Sequence, residues 1–276
     1  MGDPNKVAKA VYGSSGANLS LGQKTFNLVF GNYPEQYEHV VARSRAKIDQ
    51  YRDMVGLIPR PEQGRSSFIL EPGPSMLPLL ESALRSAGWE EGTYSVVKID
   101  KYSEMTAGGS NVIIADFERL PIADNSVDVV FISSVLLYIS DKEAAISEAY
   151  RIVRPGGRII VSELDGNVDA STLSSRVMLY EINSIWNDIN ESMRGTNNLL
   201  IKIRFYKAII ERFGPNIRYM IGAILRNILV LKDMEELPGF SAEGLECLLS
   251  FSGFSGIDTY RTYADSYHLV VGEKEG

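Results

Sequence analysis

The sequence predicts an α/β fold with a doubly wound, mostly parallel β-sheet, and three observations support this prediction. Short apolar runs alternate with helical patterns between Phe68 and Asp165. Such alternation is typical of a parallel sheet with helices on both faces. Two further runs near the C-terminus, separated by only a few residues, predict an antiparallel hairpin at one edge of the sheet. Residues 170–235, which precede that hairpin, have long helical patterns and predict an inserted cap.

Five apolar runs predict the parallel strands: FILE, SVVKID, NVIIADF, VDVVFIS and RIIVSEL. One helix is expected near Leu77 to Ala87, and another from Asp141 to Val153. Ser140 and Glu143 fit a capping box at the start of the second helix. The segment Arg154-Pro155-Gly156-Gly157 is expected to end that helix sharply. After Pro238 the pattern predicts a helix through Leu249, then strands at residues 257–263 and 267–271.

The chain divides into three predicted units. Residues 1–62 are expected to form a polar arm followed by an amphipathic helix, because apolar residues recur there at helical spacing: Tyr37, Val40, Val41, Ile48, Tyr51 and Val55. The connector at residues 59–67 is rich in proline, glycine and serine, which indicates the start of a new unit. Residues 63–169 and 236–276 are predicted to form the core domain, and residues 170–235 the helical cap.

Composition limits the classes of function. The 276 residues are 45% hydrophobic, which is enough to fill a core, and the formal net charge is -7. That charge opposes general nucleic-acid binding. The single Cys247 and two histidines provide no internal disulfide framework and cannot easily build a closed zinc site. With no signal-peptide pattern, and with arginines interrupting the most apolar stretch, residues 217–231, we expect a cytoplasmic protein without a membrane span.

Residues that end the apolar runs carry the chemical information, since ligands of parallel α/β sheets bind beyond the carboxyl ends of the strands. Glu71 ends the first run at a position where it could hold an ammonium group, and Gly73 would let backbone approach a ligand. Asp100 ends the second run and could accept hydrogen bonds from two ribose hydroxyls. Asp116 could accept from an exocyclic amine, beside a Phe117 ring that could stack on a base.

Several motifs occur in a specific order: Phe68 to Gly73, VVKIDKYSEM, ADFERLPIADNSVDVV, AYRIVRPGGRIIVSE and the terminal YHLVVGEK. With these motifs the sequence resembles the class I S-adenosylmethionine (SAM) dependent methyltransferases, particularly the ubiquinone and menaquinone methyltransferase-like group. The resemblance covers roughly Phe68 to Asp165 and Phe240 to Lys274. It implies a Rossmann-like fold, SAM as the cofactor and S-adenosylhomocysteine as its product.

The resemblance also implies roles for single residues. It makes Glu71 and Gly73 the contacts to the methionine end of the cofactor, Asp100 the ribose contact with Lys101 beside it, and Asp116 with Phe117 the adenine contacts. Ser133, just after the fourth strand, would lie beside the methyl donor. The family usually has three spaced glycines in its first loop, whereas Ser75 and Leu77 occupy the second and third positions here. We expect Ser75 still to approach the cofactor closely.

Candidates to orient or deprotonate an acceptor are Tyr138, Glu163 and His39. Glu163 is favoured because it lies at the carboxyl end of a strand, whereas Tyr138 is also consistent with a partly buried aromatic and His39 on the N-terminal helix is more consistent with a surface histidine. The fourth strand is followed by Ser133-Ser134-Val135-Leu136-Leu137-Tyr138 rather than the Asn-Pro-Pro-Tyr of amino-directed enzymes. Methyl transfer from a sulfonium depends chiefly on positioning in a dry pocket, so few catalytic residues are required.

The leading functional hypothesis is a methyltransferase that acts on a small, apolar acceptor such as a natural product or a quinone-like compound. The aromatic and aliphatic content of the cap suggests that it lines the acceptor pocket. Two alternatives stay open: a non-methylating protein of the same fold, because the first loop is altered, and an RNA methyltransferase, because the cap is locally basic. No G-x-G-x-x-G follows the first run, which disfavours a nicotinamide dehydrogenase. The N-terminal arm is expected to fold over the cofactor or to pack against another subunit of a homo-oligomer.

Overall fold

The computed structural model describes residues 44–74, 77–101, 111–193, 198–213 and 239–276. These ranges contain a seven-stranded sheet in the order β3-β2-β1-β4-β5-β7-β6. Its strands are β1 Ser67–Pro72, β2 Tyr94–Asp100, β3 Val112–Ile114, β4 Val127–Ser133, β5 Val153–Leu164, β6 Ser255–Thr262 and β7 Tyr267–Glu273. The α-helices are α1 Arg45–Gly56, α2 Leu79–Ser86, α3 Lys142–Ile152, α4 Ala170–Ser192, α5 Asn198–Phe213 and α6 Ala242–Phe251.

The strand order confirms the predicted doubly wound sheet. Strands β1 to β5 pair in parallel, while β7 lies antiparallel to both β5 and β6. The C-terminal hairpin therefore forms one edge of the sheet, as the sequence predicted. From the central β1 the chain proceeds to β2 and β3 on one side and to β4 and β5 on the other. The order thus reverses between β1 and β4, which is where such sheets bind ligands.

Strand β4 shows why a continuous apolar run forms a central strand. All seven of its residues are buried. Successive side chains of a strand point to opposite faces, so Val130 and Ile132 join the core under α3 and α6, while Val129 and Phe131 join the core under α1 and α2. Helices cover both faces, and a strand between two such layers needs apolar residues at every position.

The N-cap of helix α3 lies one residue later than predicted. Asp141 is the N-cap residue, and its carboxylate accepts a hydrogen bond from the Ala144 backbone N–H at 2.9 Å. The predicted capping box of Ser140 and Glu143 is therefore wrong by one position. An aspartate is as good a cap as a serine, so the sequence offered two neighbouring starts of similar free energy.

The predicted helix stop at residues 154–157 is also placed differently. Helix α3 ends at Ile152, and β5 begins directly at Val153, so the Arg-Pro-Gly-Gly segment lies inside a strand. The pairing of β5 with β4 shifts register between Val127 and Val129. This irregularity accommodates the proline and the glycines, which regular strand pairing disfavours.

Helices α4 and α5 follow β5 and pack against each other. The rings of Trp186 and Phe205 meet edge to face, with 5.1 Å between their centroids. The chain returns to the sheet at Gly239, where a Cβ atom would lie 2.6 Å from the Cα of Gly166. Only glycine permits that approach. Among the helices that the structure describes, none is long and apolar enough to cross a membrane.

Candidate active site

Three of the predicted carboxylates lie at the same edge of the sheet. Glu71 is near the carboxyl end of β1, Asp100 ends β2, and Asp116 follows β3 by two residues. The register brings these strands side by side, since Glu71 pairs with Lys98 and Asp100 pairs with Ile114. Because β1, β2 and β3 are adjacent and parallel, one elongated ligand could reach all three residues.

Glu71 is a buried carboxyl group that a cation would favour. Its side chain is 3% exposed, and the Tyr51 hydroxyl of α1 donates a hydrogen bond to its Oε1 at 3.3 Å. Burial raises the pKa of Glu71 to about 8, an effect that the nearby Lys98 opposes and the nearby Glu81 reinforces. A positively charged group bound beside Glu71 would stabilise its ionised form.

Gly73 joins the loop after β1 to the loop after β4. It has a φ of +57°, and its backbone N–H donates to the Ile99 carbonyl at 2.8 Å. A Cβ atom on Gly73 would lie 2.6 Å from Cγ2 of Val135. The close approach that this glycine permits is therefore to Val135, whereas the sequence led us to expect an approach to a ligand. Ser75 lies outside the described residues.

The remaining predicted cofactor contacts border the β2 and β3 ends. Asp100 is half-buried, and Lys101 beside it is exposed. The Asp116 carboxylate accepts a hydrogen bond from the Glu118 backbone N–H at 3.2 Å, which shapes the loop after β3. Phe117 is 6% exposed and belongs to the core cluster. Its ring supports this loop from inside the core, and stacking on a base stays a prediction.

The loop after β4 is held by the carboxylate of Glu163. Glu163 Oε1 accepts hydrogen bonds from the backbone N–H groups of Val135 and Leu136, both at 2.7 Å. Its Oε2 is buried and has no hydrogen-bond partner among the residues that the structure describes. Burial raises the pKa of Glu163 to about 7, against the opposing effect of those two hydrogen bonds. An unpartnered buried oxygen is costly and often indicates a site where a ligand binds.

Ser133 and Ser134 come directly before that loop. Ser133 ends β4 and is 8% exposed. Ser134 has a φ of +61°, which is uncommon for a residue other than glycine and is often found at functional sites. Tyr138 ends a short 3-10 helix, Leu136–Tyr138, and is half-buried. The third catalytic candidate, His39, lies outside the described residues.

Lys47 of α1 is a site residue that sequence reasoning missed. Its side-chain Nζ donates hydrogen bonds to Ser133 Oγ at 3.2 Å and to Ser134 Oγ at 3.3 Å. The residue is 3% exposed, and burial lowers the pKa of its ammonium group to about 8, an effect that the ionised forms of Glu163 and Glu71 oppose. Lys47 therefore links α1 to the end of β4.

A cavity of about 450 Å³ lies between α1, α4 and the turn that joins β6 to β7. Its lining contains Leu179 and Tyr180 of the cap but also many polar groups: Asp49, Asp53, Arg176, Asn183, Arg261 and Asp265. The lining therefore mixes apolar surface with charged groups. Part of the aromatic content of the cap packs internally, because Phe205 contacts both Trp186 and Tyr206.

The chemistry of the strand-end residues fits SAM. The cofactor carries an ammonium group, a ribose and an adenine, and the edge offers a buried carboxyl group at β1 followed by carboxylates at β2 and after β3. The unpartnered Glu163 Oε2 adds a buried acceptor near the end of β4. The described residues contain no cluster of three or more His, Cys, Asp or Glu side chains able to hold a metal ion.

Sequence comparisons show what part of the chain is similar to. Residues 81–161 match the family model described as a methyltransferase domain. The chain is 43% identical over 167 residues to the ubiquinone/menaquinone biosynthesis C-methyltransferase of Klebsiella pneumoniae subsp. pneumoniae, covering 60% of this chain and 54% of that protein. It is 38% identical over 69 residues to the malonyl-[acyl-carrier protein] O-methyltransferase of Yersinia pestis, covering 25% and 26% respectively. The chain thus spans between about a quarter and about half of the length of these relatives.

Solved structures agree on the fold. The structure resembles the CMeT domain of the citrinin polyketide synthase with a TM-score of 0.55 and 14% identity, covering 99% of this chain and 66% of that one. It resembles a SAM-dependent methyltransferase from Thermotoga maritima with a TM-score of 0.50 and 17% identity, covering 91% and 99%. At such low identities the likeness establishes the Rossmann-like fold alone.

Proposed function

We propose, from the premise that residues 81–161 form a methyltransferase domain related to the ubiquinone/menaquinone C-methyltransferases, that this protein transfers a methyl group from SAM to a small organic acceptor. The observation that carries the proposal is the row of carboxyl groups at one sheet edge, Glu71, Asp100 and Asp116. Their order matches the order of polar groups along the cofactor.

Glu71 would hold the ammonium group of the methionine end, because its buried carboxyl needs a cation in order to ionise. Asp100, with Lys101 beside it, would bind the ribose, and Asp116 would accept from the adenine amine with Phe117 supporting the loop. Ser133 would lie beside the methyl group. SAM, when bound, supplies an activated methyl group on a sulfonium, and the protein's part is to orient it and to exclude water.

The acceptor we propose is a natural product or a quinone-like compound. Related proteins are named for a C-methylation in ubiquinone and menaquinone biosynthesis and for an O-methylation of malonyl-[acyl-carrier protein]. The cavity of about 450 Å³ between α1 and α4 is within the range of small-molecule sites. Its mixed lining, with Leu179 and Tyr180 beside several charged groups, suits a ring that bears oxygen substituents. Residues 170–235 would act as the cap over this pocket, and residues 63–169 with 236–276 as the cofactor-binding core.

Calorimetric titration with SAM and with S-adenosylhomocysteine tests the proposed donor site. Asp100→Asn removes the charge that would accept two ribose hydrogen bonds, so we expect affinity to fall by roughly 10-fold or more. The matched control is Asp258→Asn, since Asp258 is exposed on β6 at the far edge of the sheet. Equal affinity of the two variants would remove Asp100 from the site.

A non-methylating protein of the same fold is the second candidate, and the altered first loop favours it. Val135 occupies the space beside Gly73, and serine and leucine occupy the next two glycine positions of the family. The titration separates the candidates, because absence of heat with either nucleoside would support this second function. The exposed cap residues Lys202, Arg204 and Lys207 leave an RNA acceptor to be tested by salt-dependent retention of RNA.

A further inference from the structure

We propose that Lys47 is the group that takes the proton of the acceptor when the methyl group is transferred. This inference rests on the proposed function and deepens it, because it assigns a role to a buried residue that neither the cofactor contacts nor the sequence motifs include. It also defines the class of acceptor, which must carry an acidic O–H, N–H or activated C–H group at the atom that becomes methylated.

The first support is the position of Lys47. Its Nζ lies 3.2 Å from Ser133 Oγ, the side chain that we assign to the neighbourhood of the methyl group. It also lies 3.3 Å from Ser134 Oγ, on the residue with the left-handed backbone. Its backbone is fixed as well, since Ser44 Oγ accepts from the Lys47 N–H at 3.1 Å and Glu181 of α4 accepts from the Ala46 N–H at 3.0 Å.

The second support is the set of groups that face Lys47. Glu71 of β1 and Glu163 of β5 are the carboxyl groups near it, and their ionised forms would favour its ammonium. The ring of Tyr51 on its own helix and the ring of Tyr263 in the turn after β6 lie 5.4 Å and 5.7 Å from Nζ, measured to the ring centroids. The hydrogen bonds of Nζ within the described residues go to the two serine hydroxyls. The ammonium of Lys47 thus lies away from water, where burial favours the neutral amine and the proton is easily lost.

The third support is electrostatic. A sulfonium bound at the ends of β1 and β4 would bring a second positive charge close to Lys47, and a like charge in a site of low dielectric favours the neutral amine. Binding of SAM should therefore expel a proton from Lys47. S-adenosylhomocysteine has a neutral sulfur, so its binding should leave the ammonium largely charged.

The transfer step then balances in charge. The lone pair of the Lys47 amine takes the proton from the acceptor atom, the electron pair left on that atom bonds to the methyl carbon, and the carbon–sulfur bond breaks with its electrons going to sulfur. One positive charge disappears at sulfur and one appears at Lys47. The site holds the same net charge before and after, which avoids separating charge in a dry environment.

Proton release on binding tests this role without any acceptor. We would titrate the protein with SAM and with S-adenosylhomocysteine at pH 7.5, in buffers of different ionisation enthalpy, and obtain the protons released from the buffer dependence of the heat. SAM is expected to release more protons than S-adenosylhomocysteine, by a fraction that approaches one proton. In Lys47→Met this difference should vanish while both ligands still bind. Arg85→Met, an exposed change at the end of α2, should keep it.

Glu163 is the competing source of a proton, so Glu163→Gln is measured in parallel. If the difference between the two ligands is lost in Glu163→Gln and persists in Lys47→Met, the proposal is overturned and the proton comes from Glu163. Equal proton release by the two ligands in the unmodified protein would also overturn it. Absence of binding by either ligand would contradict the proposed function itself. Should Lys47→Met fail to fold, Lys47→Arg keeps a positive charge and is expected to bind both ligands without the difference.

Discussion

Gly73 is the residue at which the loop after β1 touches the loop after β4. Two separate features require glycine at this position: the backbone is left-handed, and the side chain of Val135 lies close to it. The first demand is conformational, because a side chain in the left-handed region costs roughly 1–2 kcal/mol. The second is steric, because a Cβ atom would overlap a methyl group of Val135. The two demands can be measured separately.

Gly73→Ala should destabilise the protein more than a left-handed glycine elsewhere. Gly64→Ala is the matched control, since Gly64 has a φ of +83° and nothing lies within 4 Å of its added Cβ. We expect Gly73→Ala to lower the free energy of unfolding in urea by about 1–3 kcal/mol more than the control, because of the overlap with Val135. Adding Val135→Ala should recover part of the loss. Equal costs for the two glycines would show that the loop after β4 moves away freely.

The polar residues of the site differ in how well a sequence reveals them. Glu71 and Asp100 could be predicted because each ends an apolar run, and the carboxyl ends of parallel strands share one edge. Lys47 could not be found in this way, since it acts across 86 residues of sequence on Ser133. The available signal for Lys47 was that it is a charged residue on the apolar face of helix α1. Lys47 shares a face of α1 with the buried Tyr51 and Met54, while Ile48, expected on that face, is 38% exposed.

Elements are joined in this fold by side chains that reach between strands. Asp128 is the clearest case, as a carboxylate inside β4 that is only 7% exposed. Its Oδ2 accepts from the Phe68 backbone N–H of β1 at 2.7 Å, and its Oδ1 accepts from Arg65 at 3.0 Å and from Arg154 of β5. It thus ties three strands together at the amino end of the sheet, away from the candidate active site.

Asp128→Ala should lower stability without changing ligand affinity. Loss of the carboxylate leaves the Phe68 N–H without its acceptor and two arginines without their shared anion, which should cost about 2–4 kcal/mol in chemical unfolding. Asp124→Ala removes an exposed partner of Arg151 and should cost less than about 1 kcal/mol. Both variants should bind S-adenosylhomocysteine with unchanged affinity. A weakened affinity in Asp128→Ala would mean that the two ends of the sheet are coupled.

The sequence predicted whether each element is a helix or a strand better than it predicted the first and last residues of that element. The seven strands and the hairpin follow from apolar runs and turn residues, and the structure confirms them. The start of α3 was missed by one residue because Ser140 and Asp141 are both good caps, and only the Asp141 carboxylate bonds the Ala144 N–H. The span of β5 was underestimated, since Pro155 and two glycines normally argue against a strand.

For the whole molecule, buried carboxyl groups make stability depend on pH. Glu71 and Glu163 have folded pKa values near 8 and 7, above the ordinary 4.5, because both are buried. Between about pH 5 and 8 the folded protein therefore holds protons that the unfolded chain has released. We therefore expect these two groups to lower the stability as pH rises through this range, by at most about 1.4 kcal/mol per pH unit for each carboxyl group.

Glu71→Gln should flatten that dependence. We expect the free energy of unfolding of the unmodified protein to decrease between pH 5 and 8, and the decrease to be smaller in the variant. Carboxylates with lowered pKa values, such as Asp165 at about 2, complete their change below this range. Glu62→Gln, at an exposed position, is the control and should follow the unmodified protein. Parallel curves for Glu71→Gln and the unmodified protein would mean that Glu71 does not hold its proton in the folded state.

The contact between Gly166 and Gly239 has a consequence for how this protein could diversify. The chain leaves the sheet and returns to it through two touching backbones, so the intervening segment begins and ends at one point. Exchanging that segment for a longer or shorter one would change the loop-closure entropy only slowly with its length. A new specificity could be grafted between those two glycines while the strand pairings of the sheet stay as they are.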